Sequence, residues 1–153
     1  MKAIICTKGG PPEVLRFTET EHPTPRDDEV LVRIYATTVT AGDVILRSLT
    51  GPMRFVLGLA FGLGSNKILG HELSGVIETV GKQVARFREA DQIFASTGNK
   101  GGAYAEYICL PQDGLVVVKP AHMTFEEAAA VPVGGLTALL ILRREISSAV
   151  KKS

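Results

Sequence analysis

Short runs in which apolar and polar positions alternate dominate the chain, separated by clusters of turn residues. "KAIIC" (2–6), "EVLRFTETE" (13–21) and "EVLVRIYATTVT" (29–40) alternate β-branched residues with charges, and "KGGPP" and "HPTPRDD" lie between them. An alternation of period two, bounded by Gly, Pro and Asp, is the signature of a half-buried strand. Three strands are therefore predicted up to about residue 40. "HELSGVIETVG", "QIFAST", "GGAYAEYICL" and "LVVVKP" carry the same short period further on, which predicts a compact barrel or folded sheet.

Helical patterns are fewer. "AGDVILRSL" spans about two turns, and Asp43 in its first turn suits the positive end of the helix dipole. In "MTFEEAAAVP", Thr124 is the predicted N-cap with Glu127 at capping-box spacing, and Pro132 ends the run. From Gly135 onward "LTALLILRREISSAVKK" predicts a long final helix with its basic residues late, where they complement the negative end. Its "ALLIL" core, residues 138–142, is apolar on nearly every side, so this helix expects cover from another domain or chain. Residues 51–67, "GPMRFVLGLAFGLGSNK", are apolar but broken by four glycines. That is too short for a bilayer span, which needs roughly 20 apolar residues. It reads as a loop over the barrel core or as a hydrophobic lid beside a substrate cleft.

Composition narrows the function classes. A chain of 153 residues with 45% hydrophobic content suits one domain, and a net charge of +1 gives no extended positive field for nucleic acid. Two cysteines, Cys6 and Cys109, sit far apart in strand-like stretches and read as buried free thiols, in keeping with a cytoplasmic setting. The start "MKAIICTKGG" has only a four-residue apolar run, so no signal peptide is read there, and no membrane partner is expected.

Motif spacing removes further classes. "HELSG" has Gly75 where H-E-x-x-H needs its second histidine. "GVIETVGKQ" has five residues between its glycines instead of four, and Gln83 where a phosphate loop needs Ser or Thr. "GLGSNK" has Lys67 at the third glycine position of a dinucleotide fingerprint. The candidate for chemistry is His71, in "GHELSG". Read alone, it is either a hydrogen-bonded structural group beside Glu72 or part of a metal site. A catalytic zinc needs three protein ligands and an open position, and only these two residues stand together.

The blocks "EVLVRIYATTVTAGDVILRS", "ILGHELSGVIETVGKQVARFREADQIFAS", "GGAYAEYICLP" and "MTFEEAAAVPVGGLTAL" occur in one order. In that order the chain resembles, over residues 1–143, the N-terminal GroES-like catalytic domain of the medium-chain dehydrogenase/reductase superfamily. The resemblance is nearer to the quinone oxidoreductase branch and zinc-type alcohol dehydrogenase homologues than to the alcohol dehydrogenases proper. It implies a mainly β fold: a GroES-like partly open β barrel with short helices and a C-terminal linking helix. Residues 1–132 would form the barrel domain, and 133–153 a trailing helix leading into a Rossmann domain that these residues lack.

Zinc-binding members supply a Cys from "V-C-x-x-D" and the His of "G-H-E". Here the first segment reads "VTAGD", so Thr40 stands at the Cys position, and a neutral hydroxyl is a poor zinc ligand. The four-cysteine structural-zinc lobe is replaced by "TGNKGGAY". No metal is expected. His71 and Glu72 are instead expected to form a polar floor to the cleft, Thr40 to face nicotinamide and substrate, and Thr137, in "GLTAL", to lie near the nicotinamide ring.

The resemblance implies hydride transfer from NADPH, in preference to NADH, to a carbonyl, activated alkene or quinone, with Thr40 or His71 orienting the acceptor. NADP would be bound through the missing cofactor domain, so this chain alone is expected to be inactive. Its partners would be a small-molecule substrate and a Rossmann domain, or a second chain covering the final helix; self-association is expected. The alternative is a non-catalytic GroES-like interaction or regulatory module. A co-chaperonin subunit is a third reading, with only the shape of the fold in its favour.

Overall fold

The computed structural model describes residues 1–53, 56 and 67–150. Eight strands carry the fold: β1 (Lys2–Cys6), β2 (Leu15–Glu19), β3 (Glu29–Thr37), β4 (Lys67–Ile68), β5 (Glu72–Val80), β6 (Gln92–Ser96), β7 (Tyr107–Pro111) and β8 (Leu115–Val118). One sheet has the order β2-β1-β4 and the other β7-β3-β5-β6-β8, and every pairing is antiparallel. The stretch before β7 joins the two sheets. Ile4 N–H donates to the Tyr104 carbonyl (2.8 Å), Glu106 N–H to Lys2 (3.0 Å) and Ile34 N–H to Glu106 (2.8 Å). The result is a curled, half-open barrel of mainly β structure, as the alternating pattern predicted.

Period-two burial explains why these segments hold together. Val30, Val32, Leu73, Ile77, Ile93 and Val116 fill the barrel interior, each at most 2% exposed. Burying each such side chain contributes roughly 1.5–3 kcal/mol. A smaller cluster of Cys6, Val14 and Leu69 lies beneath the first helix, with Leu46, Leu49 and Tyr104 packed against it. Curvature needs a close approach at Gly75, where the β3–β5 register shifts. A Cβ there would stand 2.1 Å from the Arg33 carbonyl oxygen.

Three α-helices have bounds among the described residues. In α1 (Ala41–Ser48), Asp43 N–H donates to the Thr40 hydroxyl (3.3 Å) while Thr40 N–H donates to the Asp43 carboxylate (2.9 Å), a complete capping box. Helix α2 (Phe125–Ala129) has the Thr124–Glu127 box that its spacing predicted. Helix α3 (Pro132–Val150) begins three residues before the expected Gly135. Proline lacks only an N–H that the first helical turn leaves unpaired, so Pro132 both closes the preceding run and opens this helix. Leu139, Leu140, Ile141 and Leu142 of α3 are 44–64% exposed, which leaves its "ALLIL" stretch largely wet. At the other edge of the larger sheet, β8 is paired only with β6, and Leu115, Val117 and Val118 are exposed.

Strand β4 escaped the sequence pattern because two residues carry no period; it exists through pairing of Ile68 with Ile5 and of Lys67 with Cys6. The glycine-broken stretch 51–67 lies outside the described residues except at 51–53, 56 and 67, and with it the loop and lid readings. No helix among the described residues is long and apolar enough to cross a membrane.

Candidate active site

Asp43 is the hub of the site. It is 3% exposed, and both of its carboxylate oxygens are fully engaged. Oδ1 accepts from the His71 ring at Nδ1 (2.7 Å) and from Gly70 N–H (3.2 Å); Oδ2 accepts from the Thr40 hydroxyl (2.7 Å) and from Thr40 N–H (2.9 Å). Burial alone would raise the pKa of this carboxyl. The hydrogen bonds from His71 and Thr40, with the charge of a protonated His71, outweigh burial and hold it well below the usual carboxylate range. An ionised carboxylate only accepts, so Nδ1 of His71 carries the proton of their hydrogen bond. The other ring nitrogen, Nε2, has no hydrogen-bond partner among the described residues.

The backbone before His71 is built for this placement. Gly70 has φ +93°, and a Cβ on it would meet the Tyr104 ring at 2.6 Å. Only glycine adopts that conformation readily and lets the ring pack against the chain. The Tyr104 hydroxyl is buried beside Asp43 and makes no hydrogen bond of normal geometry among the described residues. Burial, followed by the Asp43 charge, raises its pKa well above the ordinary phenol value, so it stays protonated.

His71 and Thr40 open together on a cleft of about 620 Å³. Ser96 and Asn99 add polar groups to its wall, while Ile45 and Leu46 of α1, Leu49 at its C-terminal cap and Val133 of α3 supply apolar ones. The sequence reading thus brought together two true neighbours, Thr40 and His71. The Thr40 hydroxyl, however, donates its proton to Asp43. Thr137 is exposed on α3, one turn beyond Val133 and on the same helical face, and does not line this cleft.

Glu72 departs from the expected polar floor. It is 3% exposed, is absent from the cleft wall, and accepts from the Thr38 hydroxyl (2.5 Å) and from Val133 N–H (2.7 Å) in the first turn of α3. Glu72 opens β5, and its side chain caps a helix whose positive end favours a carboxylate.

Among the described residues no three His, Cys, Asp or Glu side chains converge as metal donors. The Asp43 and Glu72 oxygens are committed to hydrogen bonds, and Thr40 supplies a hydroxyl in place of a thiolate. This donor set does not fit a zinc ion. Nor do the described residues contain the parallel strand, glycine turn and helix that cradle a dinucleotide pyrophosphate. Cys6 and Cys109 are unpaired thiols; burial, with the Glu29 charge second, pushes Cys109 up to about 11, so it remains protonated and unreactive.

Residues 26–120 match the alcohol dehydrogenase GroES-like domain family, and the chain belongs to it as an N-terminal domain of the medium-chain dehydrogenase/reductase superfamily. The quinone oxidoreductase of Sus scrofa is 34% identical over 143 residues, covering 93% of this chain and 40% of that protein. Among solved structures, the quinone oxidoreductase from Coxiella burnetii superposes with a TM-score of 0.84 at 29% identity, over 94% of this chain and 44% of that one. The Escherichia coli quinone oxidoreductase complexed with NADPH gives 0.81 at 28% identity, over 95% and 41%. The chain therefore spans about two-fifths of the length of the relatives it matches.

Proposed function

We propose that this chain is the substrate-side domain of an NADP-dependent oxidoreductase that reduces a carbonyl, activated alkene or quinone, working together with a cofactor domain. The observation that carries this reading is the buried Asp43–His71 pair opening on the cleft, in a chain whose structural relatives include an NADPH complex. NADPH, when bound by that domain, supplies the hydride. His71 moves the proton. With both ring nitrogens protonated, Nδ1–H stays on Asp43 while Nε2–H donates to the acceptor oxygen. Once hydride reaches carbon, the Nε2 proton passes to that oxygen and leaves a neutral ring whose Nδ1–H still faces Asp43. Thr40 fixes the Asp43 carboxylate and has one lone pair left for the cleft, and Thr137 lies on the α3 face that a nicotinamide ring would meet. Zinc plays no part in this scheme, and free Cys6 and Cys109 suit a cytoplasmic location.

The test joins this chain to the cofactor domain of the E. coli quinone oxidoreductase and follows NADPH oxidation with a quinone. Turnover is expected, with His71→Asn lowering kcat about a hundredfold while leaving NADPH affinity unchanged. A chimera that binds NADPH yet reduces no quinone, enone or ketone overturns the proposal.

A second reading rests on a separate observation. An apolar groove of about 500 Å³ runs between β6, β8 and α3, lined by Phe94, Leu115, Val117, Leu136 and Leu139. On this reading the chain is a non-catalytic module whose α3 and β8 faces bind another domain or a second copy. Tight association of the chain without any effect of His71→Asn on turnover favours it.

A further inference from the structure

One buried polar group takes no part in the scheme above. The Tyr104 hydroxyl has no hydrogen-bond partner of normal geometry among the described residues, and a buried hydroxyl left unpaired is both uncommon and costly. Packing does not require it. The ring alone fills the space over Gly70, and phenylalanine would fill it without burying an oxygen. The residue is firmly placed: its N–H donates to the Leu69 carbonyl (3.0 Å), and its own carbonyl accepts from Ile4 N–H (2.8 Å). Together with Asp43 it lines a separate pocket of about 210 Å³, walled by Ile4, Leu15, Val44 and Leu69. The cleft, by contrast, is lined by Thr40 and His71. Tyr104 thus approaches the carboxylate from the side away from the cleft.

The count of donors explains why this hydroxyl is idle. A carboxylate offers about four lone-pair sites, and Asp43 fills them with His71 Nδ1–H, Gly70 N–H, Thr40 N–H and the Thr40 hydroxyl. The two backbone donors are fixed in place. The Thr40 hydroxyl has one proton, and it cannot serve Asp43 and an oxygen in the cleft at once. We propose that Tyr104 is a positioning residue that relieves Thr40: when the Thr40 hydroxyl turns its proton to an acceptor in the cleft, the Tyr104 hydroxyl closes on the vacated Asp43 lone pair, and the His71 ring keeps its place. Each hydroxyl keeps its own proton, so the exchange needs only two hydroxyl rotations and a slight approach of the ring. Burial, followed by the Asp43 charge, keeps the phenol protonated and therefore able to donate. The inference rests on the oxidoreductase reading for the identity of the acceptor, and it adds Thr40 to His71 as a second donor to that acceptor.

A double-mutant cycle on the chain by itself tests the exchange. Thr40→Val removes the hydroxyl at nearly constant volume and vacates its site on Asp43. In the wild-type chain Tyr104→Phe should leave the urea midpoint unchanged or raise it, because an unpaired oxygen is removed. In the Thr40→Val background, where Tyr104 is expected to hold Asp43, the same change should lower the folded-to-unfolded ratio at least about fivefold. In the Thr40→Ser background, which keeps a hydroxyl, it should again cost nothing. If Thr40→Val does not fold, Thr40→Gly, tolerated at an N-cap, replaces it in the cycle. Equal effects of Tyr104→Phe in all backgrounds overturn the proposal. The chimera gives a readout that packing cannot mimic: Tyr104→Phe should lower kcat about tenfold with KM and NADPH affinity unchanged, and an unchanged kcat also overturns it. The two proposals fail separately. Coupling in the cycle with no reduction by the chimera sinks only the oxidoreductase reading. Reduction by the chimera with equal effects in every background sinks only the exchange at Asp43.

Discussion

Asp43 and Glu72 are both 3% exposed, and both lie within hydrogen-bonding reach of a helix start, yet the fold puts them to different uses. Asp43 is bonded to a titratable ring that faces a cleft. Glu72 is bonded to a threonine hydroxyl and a backbone N–H, neither of which changes charge. Burial therefore does not separate a carboxylate that holds a titratable ring from one that caps a helix, and neither does adjacency to histidine in sequence. Glu72 is the nearer neighbour of His71 along the chain, but Asp43, 28 residues away, is the one that holds it. The partner's ability to carry a proton is what distinguishes the two.

The largest effect should come from the structural member. Glu72→Ala leaves the Val133 N–H and the Thr38 hydroxyl without their acceptor and opens a cavity. Stability should fall by about 3 kcal/mol, read as a lower urea midpoint. Glu72→Gln keeps one amide oxygen and the volume, so its loss should be nearer 1 kcal/mol. If the glutamine variant loses as much as the alanine variant, the negative charge matters more at the α3 start than the hydrogen bonds do.

Asp43→Asn should cost about 2 kcal/mol at neutral pH, because a charge-assisted acceptor of His71 and Thr40 is lost. Its signature is in acid. The folded carboxyl titrates below its unfolded value of about 3.9, so its stabilising contribution is complete above that pH and disappears as pH falls further. The wild-type chain should therefore lose stability below about pH 4 more steeply than Asp43→Asn, in urea melts between pH 2 and 6. Parallel curves for the two proteins would mean that Asp43 is not the depressed carboxylate.

The smallest effect belongs to a region outside both networks. Leu140 is 64% exposed on α3, and Leu140→Lys should change stability by less than about 0.5 kcal/mol. It should reduce self-association in sedimentation runs if α3 is the face that meets a neighbour.

Local chemistry was legible in the sequence wherever it repeats or acts over a few residues. Period-two runs marked seven of the eight strands, and Thr124 with Glu127 announced a helix start. The spacing of Thr40 and Asp43 also fits a capping box, but it was read only through the helix dipole. Nothing local indicated that the same carboxylate would reach His71, because that contact depends on how β5 is set against α1. Tyr104 carried no signal either, since its packing on Gly70 follows from the crossing of two distant segments. Glu72 was misplaced for a related reason: "GHE" reads as a pair, while the fold sends its two side chains to different neighbours.

Strand β8 has one further consequence. Its outer edge pairs with no other strand among the described residues, and the run Leu115–Val118 bears neither charge nor proline to discourage another chain from adding itself there. A solution of this polypeptide on its own thus presents a ready seed for sheet growth, and its shelf life will depend on dilution, or on a neighbour that shields that margin.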